Sequence, residues 1–531
     1  MKERLSSSLL ITACLLILTA CSNENQTVLG NIKGLMNAHI PNQGEFYLDN
    51  SNEEKPFCVI CQRGRTDSVA VRIDGGTVED IRNNETLAML EQTDNELKVR
   101  LPTLVDDLSS FNLTCTIVDS EDNEEWEADT TRYLMPVFED TVTVVKDIAY
   151  CDDRLGFYAS LPMDDTPTSD YGSYMRAAID NYKFEGVSPL ELTLDLYSLS
   201  NDTIKRRPLI ILLHGGAFLF GDKAGTLMQH LARHFASRGY VVASVNYRLG
   251  CSLLGIPAFE RTIYRSVQDA LTAGNFLKDR AAEYGIDTDA VFLVGHSAGA
   301  VTALTASVMT DDERYSSVTA NIIREDLGHL PPPLRVAGTV GLWGAVTDLD
   351  LIDEEDNPNF MLLHGTDDDI VPYRNGKPFE AVSNVVEELV GIKMEMSGSA
   401  AIYEKMESIG KECYLYSFQG MKHDPHLDEN GHFNENIDIV DDITTQYLYK
   451  RLDALGPRLE KRITGEYTTR FSLVGEKSKI VGVKWNVRGA VITKYISEKE
   501  IECCIFTNAA ETKITATCML ENGRIITRYG K

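Results

Sequence analysis

The stretch Val291-Phe292-Leu293-Val294-Gly295-His296-Ser297-Ala298-Gly299-Ala300 runs from four consecutive apolar residues into a serine bracketed by glycines. The apolar run predicts a buried strand, and the small residues from 298 to 306 predict a helix directly behind it. A chain that passes from strand to helix at one serine must turn sharply. Small neighbours permit that turn and lift the serine oxygen above the sheet edge. A G-x-S-x-G pentapeptide arises by chance in many chains; the strand before it and the helix after it give this one its weight.

Outward from this point the pattern repeats. Upstream, residues 141–145 and 192–197 alternate apolar and polar like strands, and 209–213 is a continuous apolar run ending in His214-Gly215-Gly216. A helical stretch at 226–237, an apolar run at 240–245 and an amphipathic stretch at 263–284 follow. Downstream, 336–342, 360–363 and 414–418 read as three more strands. Continuous apolar strands separated by helices predict a parallel sheet covered on both faces, that is, an α/β doubly wound domain over residues 140–455. Short apolar stretches broken by Gly, Asn and Asp predict a β-rich N-terminal region at 21–139. Alternating runs at 480–485, 490–492, 501–507, 514–519 and 525–528 predict a small antiparallel sandwich at 456–531. Residues 483–489 there loosely resemble immunoglobulin-like or PKD-type modules.

A serine hydroxyl is a weak nucleophile until a base takes its proton and donors stabilise the oxyanion. Three loops at strand ends offer such groups. They are His214-Gly215-Gly216-Ala217-Phe218, then His364-Gly365-Thr366-Asp367-Asp368-Asp369-Ile370-Val371-Pro372, and finally Gln419-Gly420-Met421-Lys422-His423. With Ser297, Asn246-Tyr247-Arg248-Leu249 and Ile286-Asp287, these resemble the α/β-hydrolase-fold serine esterases of the carboxylesterase, feruloyl-esterase-like and hormone-sensitive-lipase-like branches.

The resemblance implies the chain order nucleophile, acid, histidine. It assigns Ser297 as nucleophile, Asp368, three residues after the glycine, as the acid, and His423 as the base. Asp369 is the main rival for the acid, with Asp367 a solvated loop residue; His426 and His432 stand behind His423. The resemblance also implies an oxyanion hole of backbone N–H groups at Gly216, Ala217 and Ala298, with His214 and His364 holding their turns. The implied reaction is hydrolysis of a small ester or an acylated carbohydrate, with no metal and no cofactor. The alternatives are a serine peptidase on the same fold and a binding protein on an inactive scaffold. The long connection 152–192, carrying Tyr158, Tyr171, Tyr174, Tyr182 and Phe184, and the stretch 310–335 are expected to shape the pocket. Trp343 is read either as a pocket wall or as core.

At the N-terminus Lys2 and Arg4 precede an apolar run at 9–18, long enough for a secretory leader and too short to span a bilayer. It ends in Leu18-Thr19-Ala20-Cys21, which resembles a bacterial lipoprotein box. The resemblance implies a signal peptide at 1–20, lipidation of Cys21, and an extracytoplasmic, membrane-anchored protein of the bacterial envelope, on the outer membrane. The 51 basic and 80 acidic residues give a net charge of -29, which repels nucleic acid and excludes it as a partner. Eleven cysteines are present; with Cys14 in the leader and Cys21 lipidated, nine remain, and since Cys58 and Cys61 have metal-like spacing but no second ligand pair nearby, these are read as structural or weakly reactive, not catalytic.

Overall fold

The computed structural model describes residues 132–137, 142–156, 188–249, 256–310, 328–355, 358–380, 395–465, 468–475, 477, 479–488, 490–505 and 513–530, together with seven strands between residues 38 and 117. By its contacts the chain divides into two units. One comprises 130–456 with 521–523, and the other 1–129 with 457–520 and 524–531.

The first unit is built on eight strands: β1 (Val142–Gly156), β2 (Ser188–Leu199), β3 (Arg207–Leu213), β4 (Val241–Val245), β5 (Ile286–His296), β6 (Val336–Leu342), β7 (Phe360–Gly365) and β8 (Cys413–Phe418). They lie in the order β8-β7-β6-β5-β3-β4-β2-β1. From β8 to β4 neighbouring strands are parallel. The β4–β2 and β2–β1 pairs are antiparallel, so the sheet is mixed. The periodicity of 141–145 explains this edge: β1 alternates because much of it meets solvent, whereas β3 and β4 are buried throughout.

Among the described residues five longer helices cover the sheet, α1 (Thr226–Ser237), α2 (Ile256–Asp279), α3 (Ala298–Ala306), α4 (Ser399–Ser408) and α5 (Asn436–Leu455), and a single helical turn, Ala281–Tyr284, follows α2. Successive side chains of a strand point to opposite faces. Accordingly Leu209, Ile211 and Leu213 of β3 join one core with residues of α2 and α3. Ile210 and Leu212 join a second core with residues of α1 and α5. Each fully buried aliphatic side chain contributes about 1.5–3 kcal/mol relative to exposure. The central strands are therefore the firmest platform for loops at their C-terminal ends. Among the described residues no helix is long and apolar enough to cross a membrane.

The second unit holds antiparallel sheets. Its C-terminal part has a four-stranded sheet, Arg458–Ile463, Thr468–Val474, Glu500–Ile505 and Ala490–Ser497 in spatial order. A three-stranded sheet of Ile480–Arg488, Lys513–Leu520 and Ile525–Gly530 accompanies it. Phe471, Trp485, Ile501, Cys503, Ile514 and Cys518 meet in one shared core. The strands Arg458–Ile463 and Thr468–Val474 go beyond the sequence expectation; the first is largely exposed and carries no apolar alternation to betray it. The strands between 38 and 117 form a five-stranded antiparallel sheet and a two-stranded one.

Candidate active site

The local geometry at Ser297 follows from the hydrogen bonds it must make. Its N–H donates to Leu342 O at 2.9 Å, continuing the β5–β6 ladder one residue past the strand. Its carbonyl already accepts from Ala300 N (2.8 Å) and Val301 N (3.0 Å), the first bonds of α3. One residue cannot serve both elements in an ordinary conformation, and Ser297 takes φ 53° and ψ -118°. A positive φ at a non-glycine residue costs on the order of 1–3 kcal/mol and persists only where the surroundings enforce it. The glycines on either side make room: a Cβ on Gly295 would lie 2.2 Å from Gly299 O, and one on Gly299 would lie 2.0 Å from Leu213 O.

The turn after β3 lies beside this elbow because Leu213 pairs with Gly295 in register. Gly216 adopts φ 111°, and Ala217 and Phe218 follow at 55° and 61°. The Gly216 carbonyl accepts from the N–H groups of Leu219 and Phe220. Tyr247 steadies the turn from behind: its hydroxyl donates to His214 O at 2.6 Å, and its ring stacks on the His214 ring at 4.4 Å. Burial lowers the His214 pKa to about 4, so this imidazole is neutral. Next in the chain, Arg248 forms a buried ion pair with Asp269 of α2 at 2.8 Å.

The acid and histidine loops follow β7 and β8, which are parallel neighbours. His423 Nε2 lies 2.9 Å from Ser297 Oγ, and His423 Nδ1 lies 2.7 Å from Asp368 Oδ2. With Nδ1–H donating to the carboxylate, the Nε2 lone pair accepts from the serine hydroxyl. Asp368 is fully enclosed. Its Oδ1 accepts from the N–H groups of Ile370 and Val371, each at 2.9 Å, and its Oδ2 meets His364 Nε2 at 3.0 Å. His364 is in turn bound to Ser399 Oγ at 2.8 Å. Burial penalises the Asp368 charge, but His423 and His364 outweigh it and hold the carboxyl well below the usual range.

The rival residues lie elsewhere. The Asp369 side chain is 50% exposed and pairs with Lys422 at 2.9 Å. Asp367 is exposed. His432 is exposed beside Asp428. His426 is buried and stacks on Trp343, ring centroids 4.9 Å apart, so Trp343 is a core residue. Residues 157–187 and 311–327, which include most of the expected pocket-shaping stretches, lie outside the described residues, as does Cys21.

Sequence reasoning missed a second pair. His296 Nε2 lies 2.6 Å from Asp424 Oδ1, so the dipeptides His296-Ser297 and His423-Asp424 are bonded to each other twice. Asp424 is 5% exposed and takes φ 57°. Its burial opposes ionisation, yet the surrounding imidazoles keep it charged. Burial also pulls the His423 pKa down, but Asp368 and then Asp424 overcome this and raise it to about 9. The only sequence signal was an acid directly after the candidate histidine.

Residues 194–349 match the BD-FAE family model. Among curated relatives, a neuroligin-like protein of Caenorhabditis elegans is 36% identical over 111 residues, 20% of this chain and 15% of that protein. "Probable isoprenylcysteine alpha-carbonyl methylesterase ICMEL1" of Arabidopsis thaliana is 24% identical over 312 residues, 51% of this chain and 56% of that one. The chain thus spans well under two thirds of either relative. Two similar solved structures are a truncated carbohydrate esterase from gut microbiota (15% identity, 60% of this chain and 98% of that chain, TM-score 0.37) and Thermogutta terrifontis esterase 2 phosphonylated by cyclosarin (19%, 50% and 91%, 0.34). The matched segment 194–349 holds both the turn after β3 and Ser297, and it relates the chain to the α/β-hydrolase-fold esterases of the serine-hydrolase class.

Proposed function

We propose that this protein is an extracytoplasmic serine esterase that hydrolyses carboxylic esters through an acyl-enzyme, with acyl groups on carbohydrates as its substrate class. The observation that carries the reading is the unbroken line from Ser297 Oγ through His423 to Asp368, with contacts of 2.9 and 2.7 Å. His423 Nε2 takes the hydroxyl proton as Ser297 Oγ bonds to the ester carbonyl carbon. The oxyanion is held by the N–H groups of Gly216, Ala217 and Ala298. His423 returns the proton to the leaving alcohol as the ester C–O bond breaks. It then takes a proton from water, whose oxygen attacks the acyl-enzyme and releases the acid. Asp368 keeps the imidazole in the required tautomer. The lipid anchor at Cys21 and the envelope location belong to this proposal, on the strength of the leader at residues 1–20. That location, with the feruloyl-esterase-like resemblance, supports polymer-borne acetyl or hydroxycinnamoyl esters.

The test is hydrolysis of p-nitrophenyl esters from acetate to palmitate, and of acetylated or feruloylated oligosaccharides, by the native chain and Ser297→Ala. Labelling with a fluorophosphonate probe is scored in parallel. The reading expects short-chain and sugar esters to be cleaved and Ser297 to be labelled, both lost in the variant. Absence of labelling in the native protein would make it a binding protein on an inactive scaffold.

A further inference from the structure

On the opposite face of the sheet from α2 and α3, helix α1 carries His230 and His234, four residues apart and so on one side of the helix. Across from them α5 presents Asp441. His230 Nε2 lies 2.8 Å and His234 Nδ1 3.1 Å from Asp441 Oδ2, and the three ligand atoms all lie within 4.8 Å of one another. None of these residues takes part in the esterase chemistry.

Two imidazole nitrogens converge on a single carboxylate oxygen. The other oxygen, Asp441 Oδ1, is buried, the residue being 8% exposed, and has no hydrogen-bond partner among the described residues. A carboxylate serving only as a hydrogen-bond acceptor gains more by giving each donor its own oxygen, because a buried unpaired acceptor costs about 1–3 kcal/mol. Convergence of two nitrogens and one oxygen instead forms the donor set of a borderline divalent metal. In a tetrahedral zinc site with bonds of about 2.0–2.1 Å, neighbouring ligand atoms are roughly 3.3 Å apart. The two nitrogen–oxygen spacings, 2.8 and 3.1 Å, need to open only slightly. His234 Nε2 is 2.8 Å from Thr445 Oγ1, the second contact that orients a metal-binding imidazole. The His230 side chain is 31% exposed, leaving an approach for water as a further ligand.

We propose that His230, His234 and Asp441 form a binding site for a divalent transition metal, zinc by its chemistry, which clips helix α1 to helix α5. Sequence reading expects no metal, because the H-x-x-x-H pair on α1 and its carboxylate are separated by about two hundred residues. The clip lies close behind the catalytic loop. The Phe433 ring meets His230 at 5.1 Å and His426 at 5.8 Å, and His426 lies three residues beyond His423.

The experiment is titration of the chelator-stripped full chain with Zn2+ by calorimetry and with Co2+ by visible absorption, beside His230→Ala and Asp441→Asn. Native near-ultraviolet circular dichroism checks that each variant is folded; because the His230 side chain is partly exposed, its removal leaves a folded control. The expected result is one equivalent of Zn2+ whose affinity falls at least about tenfold in each variant. Co2+ should give ligand-field bands without a thiolate charge-transfer band, and Zn2+ should raise the melting temperature of the native chain alone. Equal Zn2+ affinity in native and variant proteins, no Zn2+ binding by the native chain, or a thiolate band from the cysteines would each overturn the proposal.

Discussion

Two acid–histidine pairs stand side by side in the catalytic unit, joined by the adjacent residues His423 and Asp424 of one loop. His423 bonds Asp368 on one side and Ser297 on the other. His296, the residue before the serine, bonds Asp424, the residue after the histidine. The four side chains are enclosed, none more than 10% exposed, and both carboxylates stay ionised. They differ in what lies beyond the imidazole. His423 ends on a hydroxyl held on a strained elbow at the end of a strand, whereas the His296 ring faces the buried rings of Trp343 and His426. On the proposed mechanism the same couple serves as a proton path where the Ser297 hydroxyl completes it, and as a latch where aromatic core surrounds it.

The contrast predicts a steep order of losses. Ser297→Ala removes the end of the path and should cost about a millionfold in kcat, read from ester hydrolysis. Asp368→Asn keeps the shape but lets the wrong tautomer of His423 form, at about 10⁴-fold in kcat. If Asp424→Asn cost as much as Asp368→Asn, the distinction between path and latch would fail.

The path was legible in the sequence and the latch was not. Ser297 announces itself because an elbow needs a strand, small neighbours and a helix within a few residues. The continuous runs in β3, β5 and β7 reveal the sheet because both of their faces are buried. The carboxylates after Gly365 were harder: three adjacent acids look alike in sequence, and their differing hydrogen-bond environments separate them only in space. Asp424 and His296 are 128 positions apart and obey no local rule, so their contact is set by packing alone. His364, expected from the sequence to hold its turn, bonds Asp368 four residues on; only its contact with Ser399, 35 positions away at the start of α4, is set by packing.

Asp424→Asn tests the electrostatic side of the latch, and asparagine tolerates the left-handed backbone found there. Only neutral His423 can accept the serine proton. With its pKa raised to about 9 by Asp368 and Asp424, kcat/KM for the free enzyme should rise with pH and reach half its plateau near pH 9. Removing the Asp424 charge weakens the hold on that proton, so the rising limb should move to lower pH. Loosening the loop should also lower the plateau, on the order of tenfold to a hundredfold, the scale of a small misplacement. A limb that moves to higher pH would contradict the assigned cause.

The smallest effect is expected at Asp369, the third carboxylate near His423. Its charge also raises the His423 pKa, but it ranks behind Asp368 and Asp424. The reason is solvent: the Asp369 and Lys422 side chains are 50% and 72% exposed, so water screens their charges and their ion pair contributes about 0–1 kcal/mol. Asp369→Asn should therefore move the rising limb in the same direction as Asp424→Asn but by less, and change the plateau rate by no more than a few-fold. The three asparagine variants then form a series in which the effect falls with burial, from Asp368 through Asp424 to Asp369. Measured pH profiles for all three decide it. A plateau loss at Asp369 as deep as that at Asp368 would transfer the role of acid to the exposed residue and undo the assignment of the path.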